Sequence, residues 1–146
     1  MKKQTRRNFL KKTAGLASIT LLPSSIWALT RNAKLRTAHI GVGGMGGADL
    51  KSISSHSMVE VTALCDVDSN NLAKALKLHP KAKTFKDYRK LFDQLGTAID
   101  AVVVSTPDHT HAPASIMAME RGLPVYCQKP LTHHVSEARA MRKLAS

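Results

Sequence analysis

Aromatic residues make up only 4% of this 146-residue chain: one tryptophan, two tyrosines and three phenylalanines. That scarcity removes the stacking platforms on which single-stranded nucleic acid is held, despite a formal charge of +12. No recognition motif accompanies the charge, so no nucleic-acid partner is expected. Cysteine is almost as rare, and two residues, Cys65 and Cys127, set no redox compartment by number. Long hydrophobic runs are missing too. The mildly apolar stretch 13–22 is too short and too interrupted for a spanning helix, so no stable membrane anchoring is expected. Seven histidines are present, but no carboxylate or cysteine completes ligand spacing around His109, His111, His133 and His134. No metal site is expected. Repeats and low-complexity segments are absent from the remainder.

Acids are missing from the first 48 residues, where the text is of another kind. Lys2, Lys3, Arg6, Arg7, Lys11 and Lys12 form a basic stretch, followed by the apolar run and then Pro23-Ser24-Ser25-Ile26-Trp27-Ala28. A charged n-region, an h-region and small residues suited to cleavage near Ala28 make a signal peptide over residues 1–30. Thr5-Arg6-Arg7-Asn8-Phe9-Leu10-Lys11 is similar to a twin-arginine (Tat) export signal, with Thr where Ser is usual. The expected partner is the twin-arginine machinery, and the expected location is the periplasm or beyond. A basic tail or an uncleaved amphipathic anchor is the other reading. Without the six leader cations, sixteen basic residues face ten acids, leaving +6. Much of that charge lies between Lys74 and Lys90, where a solvated surface face accounts for it.

What remains alternates strand and helix. Apolar strands are expected at 36–42, 59–66, 82–85, 99–105 and 125–127. Helices are expected at 45–55, 69–78, from 87 onward, at 111–121 and at 136–145. This βαβ order calls for a doubly wound parallel sheet with helices on both faces, a Rossmann domain over residues 35–146. In a 3-2-1-4-5 sheet Cys65 and Cys127 stand three strand spacings apart, roughly 14 Å. That is too far for a disulfide, so both are expected to be free. The sheet stops one strand short of six and no substrate domain follows. The expectation is a fragment or truncation of a longer enzyme.

Chemistry concentrates at the carboxyl ends of the strands. Gly41-Val42-Gly43-Gly44-Met45-Gly46 joins the first strand to its helix. Gly41 permits the turn, Gly43 lets backbone approach a pyrophosphate, and Gly46 lets helix and strand pack. Gly44 and Met45 complete the loop, and the anion sits at the helix N-terminus. Twenty residues on, Asp66 ends the second strand, placed to accept hydrogen bonds from an adenosine ribose and to repel a 2′-phosphate. NAD is therefore expected, with NADP less favoured. Thr106-Pro107-Asp108-His109-Thr110-His111 follows the fourth strand, and Gln128-Lys129-Pro130 follows the fifth. A capped turn with solvent-facing histidines explains most of the first loop. In the second, Lys129 is placed to orient a substrate hydroxyl and to steady developing alkoxide charge.

Taken in order, the glycine fingerprint, Cys65-Asp66-Val67-Asp68, the Thr106–His111 loop and Gln128-Lys129-Pro130 resemble the Gfo/Idh/MocA family, that of glucose–fructose oxidoreductase and inositol dehydrogenase. The resemblance covers about residues 35–146. It implies an NAD(P)-dependent oxidoreductase acting on a sugar, cyclitol or related polyol by hydride transfer at a secondary hydroxyl. It further implies that Thr106, Pro107 and His111 shape the nicotinamide side and that Lys129 serves both cofactor and catalysis. The family's remaining acid–base residues, typically an Asp and a His, lie in a C-terminal domain. Two departures stand out: Gln128 replaces the usual Glu, and Asp108 replaces an Asn. An NAD-dependent glycosidase or lyase on the same scaffold is one alternative, and a truncated nucleotide-binding protein without turnover is another. A homo-oligomer of the full-length protein is left open.

Overall fold

The computed structural model describes residues 33–146; the expected leader lies outside the described residues. Five parallel strands form one sheet in the order β3-β2-β1-β4-β5, the order expected from the sequence. In chain order the elements are β1 (Leu35–Ile40), α1 (Gly44–Ser54), β2 (Val59–Cys65), α2 (Ser69–Leu78) and β3 (Lys83–Phe85). They continue with α3 (Tyr88–Leu95), β4 (Ala101–Val104), α4 (His111–Met119), β5 (Val125–Cys127) and α5 (Val135–Leu144). None of these helices is long and apolar enough to cross a membrane.

The central strands read as apolar runs because both of their faces are covered. Ala38, Ile40, Ala63, Val102 and Val104 point to one face, against Leu91, Phe92 and Leu95 of α3 and Ala114 and Ala118 of α4. Val61 and Leu64 belong to the other face, with Leu50 of α1 and Leu72 and Ala75 of α2. Each large side chain buried this way contributes about 1.5–3 kcal/mol. Small residues on α4 let it lie close to β4.

Several boundaries differ from expectation for identifiable reasons. β1 ends at Ile40, not at 42, because Gly41 turns the chain with φ +84°. β4 is confined to Ala101–Val104. Asp100 before it is committed to Arg36: the guanidinium meets its carboxylate at 2.7 and 2.9 Å, and the Arg36 amide donates to it at 2.8 Å. This pair ties together the amino ends of β1 and β4, on the far side of the sheet from the glycine loop. Asp87 caps α3 and does not begin it, its side chain accepting from the Arg89 amide. Asp68 does the same for α2 through the Asn70 amide.

Cys65 and Cys127 are free, on β2 and β5, with β1 and β4 between them. Burial pushes the Cys65 thiol up to about 12 and raises Cys127 as well. They pack as small hydrophobes.

Candidate functional site

The chain crosses from one face of the sheet to the other between β3 and β4. A crevice therefore opens above the carboxyl ends of the paired strands β1 and β4, where the connections that leave them run to opposite faces. The glycine loop forms its floor. Gly41 donates to the Cys65 carbonyl at 2.7 Å, holding the exit of β1 against β2. A β-carbon on Gly41 would fall 2.5 Å from the Ser105 carbonyl oxygen, and one on Gly46 would fall 2.2 Å from that of Gly41. Both partners are backbone, so neither glycine can be enlarged in place. The reason is close approach of α1 to the strand exits, the third role assigned to the fingerprint. Gly43 is the N-cap of α1, and no side chain caps the helix. Its first-turn amides therefore face the crevice without intrahelical partners.

Asp66 follows β2 at the rim. Its Oδ2 accepts the Val42 amide at 2.9 Å and its Oδ1 accepts the Asp68 amide at 2.9 Å. These bonds aim the carboxylate over the glycine loop; Asn71 Nδ2 donates to Oδ2 at 3.5 Å, and a lone pair remains for a further donor. A cleft of about 550 Å³ runs past Asp66, Gly41, Gly43 and Gly44 to Thr106 and Pro107. Amide donors at one point and a fixed carboxylate beside them fit the pyrophosphate and ribose of NAD. The fit rests on the uncapped first turn of α1 and on the Asp66 carboxylate fixed beside it.

Other expected site residues take different places. Met45 is exposed on the first turn of α1, and Gly46 is buried beneath the loop. His111 departs from the expectation of solvent-facing histidines. It is 1% exposed and does not line the cleft. Its Nε2 lies 2.6 Å from the Thr106 carbonyl oxygen and its Nδ1 2.7 Å from that of Pro130. The ring braces the loop after β4 against the loop after β5. His109 is the exposed histidine and does line the cleft.

Lys129 is exposed in the β5 loop, outside the 550 Å³ cleft. Its amide donates to Gln128 Oε1 at 2.8 Å, and Gln128 Nε2 reaches Asp49 Oδ2 and Oδ1 at 3.1 and 3.2 Å. Ser105 Oγ donates to the same Asp49 carboxylate at 2.7 Å. Asp108 bridges the two loops on the outside: His133 Nδ1 lies 3.1 Å from it and holds its carboxyl below the usual range. No group of three ligating side chains suited to a metal occurs among the described residues.

Four contributors carry no motif that the sequence reading singles out. Asn71, on α2, lies over Gly43 and lines the cleft together with Lys86 and Tyr88. Nothing marks Lys86 or Tyr88 before the strand order is known. Asp49 carried a usable signal: it lies three residues after Gly46, hence on the same helical face, turned toward the strand exits.

Fold and cleft together define a dinucleotide-binding α/β domain. The model for the Gfo/Idh/MocA oxidoreductases, NAD-binding Rossmann fold, matches residues 35–146, and the chain belongs to that family. A glycosyl hydrolase family 109 protein of Stenotrophomonas maltophilia is 37% identical over 135 residues, covering 84% of this chain and 29% of that protein. Among solved structures, myo-inositol 2-dehydrogenase from Lactobacillus plantarum aligns with a TM-score of 0.71 and 32% identity. That alignment covers 77% of this chain and 33% of the dehydrogenase. The WlbA dehydrogenase of Chromobacterium violaceum, solved with NADH and UDP-GlcNAcA, aligns at 0.70 with 26% identity, covering 77% and 32%. The chain thus spans about a third of the length of the relatives it matches.

Proposed function

We propose that the complete protein oxidises a secondary hydroxyl of a sugar, cyclitol or related polyol with NAD. One observation carries the reading: the loop holding Lys129 is braced by His111 against the loop that lines the NAD cleft. A substrate held at that edge would meet the lysine and the nicotinamide end of the cleft together. Bound NAD supplies the hydride acceptor. Gly41 and Gly43 would let its pyrophosphate approach the loop, the first-turn amides of α1 would hold it, and Asp66 would hold the adenosine ribose. Thr106 and Pro107 wall the far end. The Lys129 ammonium donates to the reacting oxygen and stabilises negative charge as the proton leaves. The proton acceptor belongs to the C-terminal domain of the complete protein.

Replacing Lys129 with Ala in the full-length enzyme tests the assignment. Turnover should fall at least tenfold, with NAD affinity unchanged by calorimetry. A smaller loss removes the lysine from the chemistry.

A second reading is favoured by one finding, the similarity to the glycosyl hydrolase family 109 protein. Redox at one sugar carbon would then enable elimination of the glycoside, using the same cleft and the same lysine. Release of nitrophenol from nitrophenyl glycosides only when NAD is present would decide for it.

The leader motif supports export in the folded state by the twin-arginine route. Free NAD is scarce outside the cytoplasm, so the cofactor stays bound through successive turnovers and is recycled by a second substrate. Retention of NAD through dialysis of the purified holoenzyme is the expected result; rapid loss would overturn it.

A further inference from the structure

We infer that Asp49, a residue of the phosphate-binding helix, is a positioning residue for Lys129 and acts through the side-chain amide of Gln128. The inference rests on the proposed role of Lys129 and extends it to a group outside the cleft. The connection is continuous: carboxylate of Asp49, amide of Gln128, backbone N–H of Lys129, at 3.1 and 2.8 Å. Each member has the polarity that the next one needs. An ionised carboxylate only accepts, whereas a primary amide donates at one end and accepts at the other. Asp49 therefore fixes which way the Gln128 amide faces, and that choice turns Oε1 toward the Lys129 amide. The Ser105 hydroxyl at 2.7 Å holds the same carboxylate from the exit of β4.

Glutamate at 128 would set two carboxyl groups face to face at about the 3.1 Å that now separates amide and acid; ionised, neither could donate, and the pair would hold together only by taking up and sharing a proton. This accounts for an amide at the position where the resemblance leads one to expect Glu. The pair also links the two halves of the site: α1 presents the phosphate-binding amides at its N-terminus, and from its next turn it sets the loop carrying the lysine. A displacement of a catalytic group by 1 Å costs on the order of 100-fold in rate.

The test is a rescue in the full-length protein. Gln128→Glu should lower kcat for polyol oxidation at least tenfold while leaving Kd for NAD within threefold. Adding Asp49→Asn restores a donor facing the new acid, keeps an acceptor for Ser105, and leaves the second Glu oxygen for the Lys129 amide. The double variant should recover kcat to within threefold of the parent. Wild-type kcat in Gln128→Glu, or a double variant that folds and binds NAD but recovers nothing, overturns the inference. If Gln128→Glu alone does not fold, the double variant carries the decision by the same criterion. Should the parent oxidise no polyol, the functional reading fails. The Asp49–Gln128 link is then judged on melting temperature, where the double variant must exceed the single one.

Discussion

Enlarging Gly46 by one methyl group should damage fold and cofactor site together. The added carbon would lie 2.2 Å from the Gly41 carbonyl oxygen, 2.8 Å from its carbon and 3.1 Å from the Ser105 carbonyl oxygen. All three are backbone atoms of strand exits, so no rotamer change relieves the contact. The first turn of α1 must retreat by about 1 Å, a local overpacking that costs about 1–3 kcal/mol. For a domain of this size that lowers Tm by roughly 4–8 °C per kcal/mol. The same retreat carries the helix amides away from the pyrophosphate. Losing one hydrogen bond to a charged group, about 1.5–3 kcal/mol, weakens NAD binding about 10- to 150-fold.

Gly47→Ala is the control, because its methyl would meet only the Val42 carbonyl oxygen at 3.2 Å. That contact relaxes within a few tenths of an ångström, and alanine in a helix interior regains about 0.8–1 kcal/mol of propensity. Differential scanning fluorimetry and calorimetry with NAD read both quantities. Equal behaviour of the two variants, in either direction, would refute the packing argument.

Three further outcomes are expected. Asp66→Asn should weaken NAD about tenfold or more and raise the relative affinity for NADP, because Lys86 lines the same cleft; an unchanged NAD-to-NADP ratio by calorimetry would remove Asp66 from ribose recognition. Burial pushes the His39 imidazole down to about 4, so the unfolded chain binds its proton near pH 6.5 while the folded chain refuses it. Stability should be full above pH 6.5 and fall by about 3 kcal/mol as pH drops to 4, a slope that His39→Asn flattens in urea titrations across that window. Cys65 should stay silent to a thiol reagent at pH 7.5 in native protein, with two thiols titrating in denaturant; a native disulfide would contradict the strand order.

The fold was legible because its determinants are local or periodic. Strands covered on both faces must be apolar, and Ala101-Val102-Val103-Val104 admits little else. The spacing from Gly46 to Asp66 follows from the length of one strand–helix–strand unit, so it could be counted without knowing any contact. Boundaries slipped where a side chain bonds across the sheet: Arg36 with Asp100 trims β4, and no local pattern announces that pair. The burial of His111 has a related cause. A polar residue opening a helix normally faces solvent, and only the adjacency of β4 and β5 brings the Pro130 carbonyl over the ring and closes it in.

The same division separates what holds the cofactor from what sets the lysine. Cofactor recognition depends on backbone amides and glycines within one βαβ unit, and such features are written in sequence spacing. Placement of Lys129 depends on side chains brought together from α1, the start of α4 and the loop after β5: Asp49 lies 79 residues from Gln128, and His111 lies 19 from Pro130. Those distances along the chain are closed by strand order alone. It follows that substitutions at Asp49, Gln128 or His111 should act on turnover more than on NAD affinity, whereas those at Gly41, Gly46 or Asp66 should act on NAD affinity first. A variant of His111 that abolished NAD binding while leaving turnover per bound cofactor intact would contradict this separation. It would return that histidine to the cofactor site.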